Sequence, residues 1–518
     1  MYFYYFNDKI ISGEVMKKIL GRLTILIPAV LLQILWYSLL FYFFKDYVNI
    51  LVAVINILSI FFVFYVVNSH QESNYKIIWL IVILAFPIFG TIIYMFFGNK
   101  NTSRKLGRKL QTARHELHHY THGKNKSEVK DLVYLDYRVY QSFKYIEGLS
   151  HFRTVKNQHA KYYHLGDAFF ADLIKELKKA KNYIFIEFFI INRGKLFDEI
   201  VAILEEKVKE GVDVRLIYDD FGSLRTLSLR DLNYLRSKGI KTTLFNAVTF
   251  LKPVLNCRDH RKMVIIDGRI AFTGGNNLAD EYANIVRRFG HWKDVGFSIT
   301  GKGVRNYLYM FVEFWNAFSN DKIEDIYRDL SGDGNHNDGY VLSYYDSPYY
   351  KEPVSNNAYI EFLSLAKKYC WFYTPYLILP SSLKDAMMRA AKRGVDVKIF
   401  MPGIPDKKII YRMSRSYYHD LLKSGVKIYE YTPGFLHGKT VLVDDEICAI
   451  GTVNLDFRSL FLHFENNSIF YKSDIVEDLK FDMEEMMIYS REIKTNTFKT
   501  NIVKRAFDAV LRIFAPLV

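Results

Sequence analysis

The chain has 518 residues, half of them apolar and 16% aromatic, and a formal charge of +15. That length accommodates a catalytic body of two domains with a substantial core. Three cysteines, Cys257, Cys370 and Cys448, are far apart and odd in number, which excludes a cysteine metal cluster or disulfide framework and predicts free thiols in a reducing compartment.

In chain order the apolar excess comes first. Residues 23–44, 47–67 and 77–97 carry no charge, and each is long enough to cross a bilayer. A membrane domain of two or three transmembrane helices is expected over 1–99. Trp36, Tyr42, Tyr47, Tyr65, Trp79 and Tyr94 lie near segment ends or within a few residues of them, as interfacial belts require. The first segment is too long for a signal peptide, and no small-residue cleavage site follows it.

Lys100, Arg104, Lys105, Arg108, Lys109 and Arg114 come next, with no acid between them. Positive charge stays inside, so this side and everything beyond it are expected in the cytoplasm, with the protein multi-pass in the cell membrane. Lys9, Lys17, Lys18 and Arg22 flank the first segment on its other side, so whether that segment spans stays open. A basic juxtamembrane linker is expected over 100–150. Beside apolar spans, the positive charge points to anionic membrane lipids and away from nucleic acid: each basic residue near the surface is attracted by about 1 kcal/mol.

Beyond residue 150, stretches of helical period alternate with strand-like ones, the pattern of α/β folds. Residues 168–191 and 198–220 each read as a helix followed by a strand, and 359–378 and 384–403 follow the same order. GVDVRLI (211–217) recurs as GVDVKIF (394–400), and KGIKTTLF (238–245) as SGVKIYEY (424–431). A repeat this long is a duplicated domain rather than a solenoid unit. Two α/β domains are expected, over 151–330 and 331–501, with a site on the pseudo-twofold axis between them. An amphipathic segment over 502–518 closes the chain.

Each repeat ends in one pattern, DHRKMVIIDGRIAFTGGNN (259–277) and LHGKTVLVDDEICAIGTVN (436–454). Alternate residues of a strand share a face, so His260 pairs with Lys262 and His437 with Lys439. Two imidazoles and two ammonium groups around one point suit a phosphate. Asp267 and Asp444 complete the motif and count with its catalytic set. Their opposite parity and the Asp-Gly turn signal at 267–268 mark them mainly as turn or ion-pair residues. Asn277 and Asn454, after glycines that permit close approach, are candidate phosphate donors. Each histidine needs a partner on its second ring nitrogen. Asp294 and Glu465 follow their histidines by 34 and 28 residues and are the candidates.

Two complete copies of this motif in a duplicated domain resemble the phospholipase D superfamily. NCRDHRKMVIIDG, TGGNNLADEY, HWKDVGF, TPYLILP, HGKTVLVDD, GTVNLDFRSLFLHFENN and WLIVILAFPIFGTIIYMFFGNK are similar to the bacterial cardiolipin synthases within it, from about residue 47 to the end. The final IVKRAFDAVLRIFAPLV is also similar to that family's terminus and would suit a membrane-surface helix, with apolar 503, 506, 507, 510, 511 and 514 against Lys504, Arg505, Asp508 and Arg512.

The resemblance implies a two-step transfer without metal or other cofactor. One histidine takes the phosphatidyl group of phosphatidylglycerol and the other protonates the departing glycerol; a second phosphatidylglycerol then accepts the group. It assigns His260 as nucleophile and His437 as acid and base. A hydrolytic phospholipase D or a phosphatidyltransferase using another alcohol is the alternative. A superfamily nuclease and an inactive membrane scaffold are more distant ones. Tyr373 and Tyr376 are candidates for either a lipid pocket or the core, and the sequence sets no oligomeric state.

Overall fold

The computed structural model describes residues 47–69, 71–98, 104–124, 129–156, 158–247, 256–324, 338–495 and 502–517, with scattered positions between 31 and 42. It divides into two units, 1–102 and 103–518. In the first, α1 (Val48–Val67), α2 (Ser73–Ala85) and α3 (Pro87–Ile93) precede a π turn at Tyr94–Gly98. Val66, Ile78, Trp79 and Ile83 are buried, whereas Ile50, Ile57, Phe61, Phe64 and Leu84 face outward.

Among the described residues no helix is long and apolar enough to cross a membrane. The expected transmembrane helices ahead of the α/β body therefore have no such counterpart there. The expected span at 23–44 lies for the most part outside the described residues. The one at 77–97 is broken at Pro87, which opens α3 because it lacks the N–H that α2 would need to continue.

The second unit begins with α4 (Arg104–Lys124) and α5 (Tyr137–Ser150). The linker expected over 100–150 is thus corrected: most of it is helix packed on the body. Along α4, Leu106, Leu110, Ala113 and Leu117 are buried at the three- and four-residue spacing of one helix face, which the six basic residues conceal in a charge count. Arg114 donates from Nε to Glu313 at 3.2 Å and from Nη2 to the Tyr350 hydroxyl at 3.1 Å, and also bonds Tyr345.

The first repeat runs β1 (Val155–Lys156), β2 (Gln158–Tyr163), α6 (Gly166–Lys178), β3 (Tyr183–Phe188), α7 (Lys195–Lys209), β4 (Asp213–Asp219), α8 (Leu229–Ser237), β5 (Lys241–Phe245), β6 (Met263–Ile266), β7 (Ile270–Gly274), β8 (His291–Lys293), β9 (Gly296–Gly301) and α9 (Val304–Phe318). The second runs β10 (Tyr340–Asp346), α10 (Val354–Leu365), β11 (Tyr369–Tyr373), α11 (Ser381–Lys392), β12 (Asp396–Pro402), α12 (Lys408–Ser416), α13 (Tyr418–Lys423), β13 (Lys427–Tyr431), β14 (Gly434–Leu436), β15 (Thr440–Val443), β16 (Ile447–Gly451), β17 (Glu465–Tyr471), α14 (Ile475–Ile488) and β18 (Ser490–Ile493). α15 (Ile502–Ile513) follows.

One sheet has the order β2-β9-β7-β6-β3-β4-β5; the other is β1-β10-β17-β16-β15-β11-β12-β13-β18. Between its two edge strands the second repeats the first, position for position, which is the duplication read from the sequence. The fold is mixed α/β, with β3, β4 and β5 parallel, as are β11, β12 and β13. The sheets share an apolar core in which Phe297 meets Phe470 edge to face at 5.1 Å. Tyr373 belongs to that core, its hydroxyl donating to the Asp482 carbonyl oxygen at 3.1 Å. α15 packs on α12, with Arg512 paired to Asp420 at 3.0 Å, and leaves Phe507, Val510, Ile513 and Phe514 exposed.

Arg114 is the polar anchor of α4, and its removal takes the cation from the buried Glu313 carboxylate and leaves it the Tyr345 hydroxyl at 2.7 Å. Arg114→Met is expected to lower unfolding stability by about 2 kcal/mol in denaturant titrations of detergent-solubilised protein, with little change in turnover per folded molecule.

Candidate active site

After β5 the chain crosses to the other half. Cys257 N donates to Leu462 O at 2.7 Å, Phe464 N to Arg258 O at 2.8 Å and His260 N to Phe464 O at 2.8 Å. The second half does the same in mirror order: β14 runs parallel to β8, and His437 N donates to Lys293 O at 2.7 Å. Each histidine therefore hangs from the residue just before an acid of the opposite half. His260 Nδ1 meets Glu465 Oε2 at 2.8 Å, and His437 Nδ1 meets Asp294 Oδ2 at 2.5 Å. The acids proposed from the sequence are beside histidines, but each serves the other repeat's histidine and not the one it follows. With Nδ1 held by a carboxylate, Nε2 is the nitrogen left for chemistry.

Both lysines close the same space. Lys262 Nζ donates to His260 O at 2.6 Å; Lys439 Nζ donates to His437 O and lies 2.8 Å from His437 Nδ1. Thr273 and Asn466 brace Lys262, with Thr273 donating to Lys262 O at 2.6 Å and the Asn466 amide to Thr273 at 2.7 Å.

Burial brings Lys262 down to about 8 and, with help from Lys262, Lys439 to about 7. His437 falls to about 4 through burial and Lys439, against the pull of Asp294. Burial and then the two lysines hold His260 well below its usual range. The acids differ. Burial pushes Glu465 up despite Lys262. Burial would also raise Asp294, but His437 and Lys439 outweigh it and keep the carboxyl below its usual range. Four nitrogen bases thus repel one another's protons in a desolvated space, and an entering anion relieves that repulsion.

Other expected residues lie elsewhere or have other tasks. Asp267 and Asp444, counted with the catalytic set, stand seven residues beyond their histidines, on the order of 20 Å along an extended chain. Asp267 accepts from the N–H groups of Lys181, Asn182 and Tyr183 at 2.8, 2.7 and 2.9 Å. Asp444 does the same for Lys367, Lys368 and Tyr369. Both adopt positive φ, 54° and 50°, where Asp is tolerated better than most residues. They are turn residues that tie each hairpin to the start of β3 or β11.

Asn277 donates to the Tyr282 hydroxyl at 2.7 Å and accepts from Ile190 N at 3.0 Å. It braces Tyr282, whose ring stands edge-on 5.4 Å from His437. Asn454 hydrogen-bonds the buried Asp456 carboxylate. Tyr376, half-buried, donates to Asp406 at 2.6 Å.

Sequence reasoning passed over Thr452, Asn466 and His463. Thr452 donates to Glu465, and the His463 ring lies 6.5 Å from that of His260. Their one signal was position: each stands within the run that carries Asn454 and Glu465.

Residues 173–286 and 359–487 match a family model described as "Cardiolipin synthase, PLD-like domain", and 57–99 match one described as "Phospholipase_D-nuclease N-terminal". An uncharacterized protein of Streptococcus mutans is 40% identical over 88% of this chain and 99% of its own length. A cardiolipin synthase of Alkalihalophilus pseudofirmus is 32% identical over 90% of this chain and 93% of its own. Cardiolipin synthase 2 of Bacillus anthracis is 34% identical over 88% of each. Among solved structures, phosphatidylserine synthase of Haemophilus influenzae shares the fold, with a TM-score of 0.54 and 16% identity over 73% of this chain and 98% of its own.

The depressed basicity of the four nitrogens has a measurable sign. A bound anion raises the pKa of Lys439 and Lys262 from about 7 and 8, so binding near pH 7.5 takes up protons. Titration with inorganic phosphate or tungstate in buffers of different ionisation enthalpy is expected to show net uptake, diminishing below about pH 6 as both lysines become protonated beforehand.

Proposed function

Since the chain belongs to the cardiolipin synthase family, we propose that its two histidine–acid pairs move a phosphatidyl group from one phosphatidylglycerol to another through a covalent histidine intermediate. The protein is a phosphatidyltransferase of the phospholipase D superfamily. One observation supports the mechanism above the rest: two imidazoles, each fixed through Nδ1 by the opposite repeat's carboxylate, with a lysine beside each.

In the first step the phosphodiester lies between Lys262 and Lys439, which neutralise its charge and the charge that develops in the transition state. His260 Nε2 attacks phosphorus and the bond to the headgroup glycerol oxygen breaks; His437, which burial and Lys439 lower to about 4 without an anion, is protonated once the phosphodiester's charge offsets them, and it gives that oxygen its proton. In the second step neutral His437 takes the proton from a hydroxyl of another phosphatidylglycerol. That oxygen attacks phosphorus, the P–N bond breaks, and cardiolipin leaves. His437 is then protonated again, ready for the next donor.

The assignment of roles has support in the two acids. Asp294 is held in its charged form beside His437 and favours an imidazolium there; Glu465, raised by burial, favours it less at His260. Asn277 and Asn454 act at one remove, through Tyr282 and Asp456. The two lysines supply the positive charge that the reaction requires, so it needs no metal.

Membrane association belongs to the same reading. The apolar segments between 23 and 97 insert in the cell membrane, multi-pass, with the α/β body on the cytoplasmic side, where the basic face of α4 meets anionic lipid. Protease treatment of intact protoplasts is expected to spare residues 103–518 and treatment of inverted vesicles to degrade them; the reverse pattern rejects this orientation.

Purified protein in mixed micelles with phosphatidylglycerol is expected to yield cardiolipin and glycerol, with or without EDTA. Formation of phosphatidic acid alone would replace the synthase reading by a hydrolase. His260→Asn and His437→Asn each lower turnover by on the order of 10³-fold or more. With a good leaving group, His437→Asn still accumulates an adduct on His260, seen by mass spectrometry of quenched protein. An adduct on His437 in the His260→Asn variant reverses the two roles.

A further inference from the structure

The pseudo-twofold makes the histidines alike, so something must make them different. At equivalent positions after β7 and β16 stand Gly275 and Thr452, each donating its backbone N–H at 2.9 Å to the other strand, Gly275 to Val295 O and Thr452 to Asn466 O. Beside Gly275 there is no room for a side chain: a Cβ would come within 2.0 Å of Asp294 Oδ1. Beside Thr452 there is. Its hydroxyl accepts from Asn466 N at 3.0 Å, which orients it, and donates to Glu465 Oε2. That is the oxygen His260 Nδ1 meets. Among the described residues Asp294 receives, besides His437, only the N–H of the following Val295, at 2.9 Å on its other oxygen.

We propose that Thr452 is a positioning residue that selects the nucleophile: by sharing Glu465 Oε2 with His260, its hydroxyl draws charge from that carboxylate and leaves His260 the weaker proton acceptor of the two histidines. A carboxylate that already accepts a hydroxyl hydrogen holds an imidazolium less strongly. With the phosphodiester bound, His260 is then neutral and the proton sits on His437, whose Asp294 accepts from no such hydroxyl among the described residues. Thr452 is fully buried, so water does not take its place. This deepens the transfer mechanism above and rests on it.

The ionisable groups facing this pair are Lys262, Lys439, His437, His463 and Asp456, with Ser459 also directed at Glu465. None of them is altered by a change at 452. Thr452→Val keeps the shape of the side chain and removes the hydroxyl. The His260–Glu465 pair then takes up its proton at a higher pH, and because a protonated His260 cannot attack, activity is lost at a higher pH on acidification.

The test is the pH profile of kcat/KM for cardiolipin formation in mixed micelles, with native protein, Thr452→Val, Thr452→Ala and Thr452→Ser in parallel. The acid limb is expected to move up by roughly one pH unit in the Val and Ala variants, a tenfold loss on that limb with little loss on the alkaline side. Thr452→Ser, which keeps the hydroxyl, returns it to the native position. A uniform loss at all pH values in variants that melt like native protein, or an unmoved acid limb, overturns the proposal. So does a Ser variant that behaves like Val. If Val fails to fold, the Ala and Ser pair decides by the same criteria. Native protein that forms no cardiolipin under these conditions refutes the function itself, which separates the two failures.

Discussion

Everything at this site depends on the exchange of partners between the two halves. His260 is fixed by Glu465 and His437 by Asp294, so neither repeat can orient its own histidine. The backbone makes the same exchange one step earlier, through His260 N to Phe464 O and His437 N to Lys293 O. Removing one member of such a buried hydrogen-bonded pair leaves the other unsatisfied at a cost of about 1–3 kcal/mol. The site therefore holds the duplicated domains in register, and their shared core holds the site.

The second constraint is desolvation. Water would let two lysines and two histidines carry their charges independently. Here burial lowers all four, and the missing counter-charge is a phosphodiester. The arrangement stores no permanent high positive charge, and in the proposed reaction it acquires protons as the substrate arrives. Asp294 is held below its usual range and Glu465 above it, and the transfer proposed above uses that difference to set attacking base apart from proton carrier.

The surroundings show how charge can mislead. Six basic residues after the apolar segments read as a juxtamembrane linker, yet Leu106, Leu110, Ala113 and Leu117 form a buried stripe between them. Arg114 spends its charge on Glu313, Tyr345 and Tyr350. A count of positive residues carries no information on which of them turn inward; the helical spacing of the leucines does.

The amino-acid sequence by itself determined the duplication, the α/β alternation and the two His-x-Lys pairs, because local periodicity and repeated words are properties of neighbouring residues. It also showed that Asp267 lies at a turn, since parity and an Asp-Gly step are local. Which acid meets which histidine was decided only by the tertiary structure: the spacing of 34 and 28 residues suggests partners within a repeat, whereas β8 pairing with β14 and the backbone bonds of segment 257–260 to 462–464 deliver them across the axis. The same holds for Thr452 and Gly275, equivalent small residues on paper, whose difference emerges when Asp294 Oδ1 fills the space beside one and Glu465 Oε2 accepts a hydrogen from the other. Contacts between distant segments depend on how two sheets face each other, and no pattern confined to one segment encodes that.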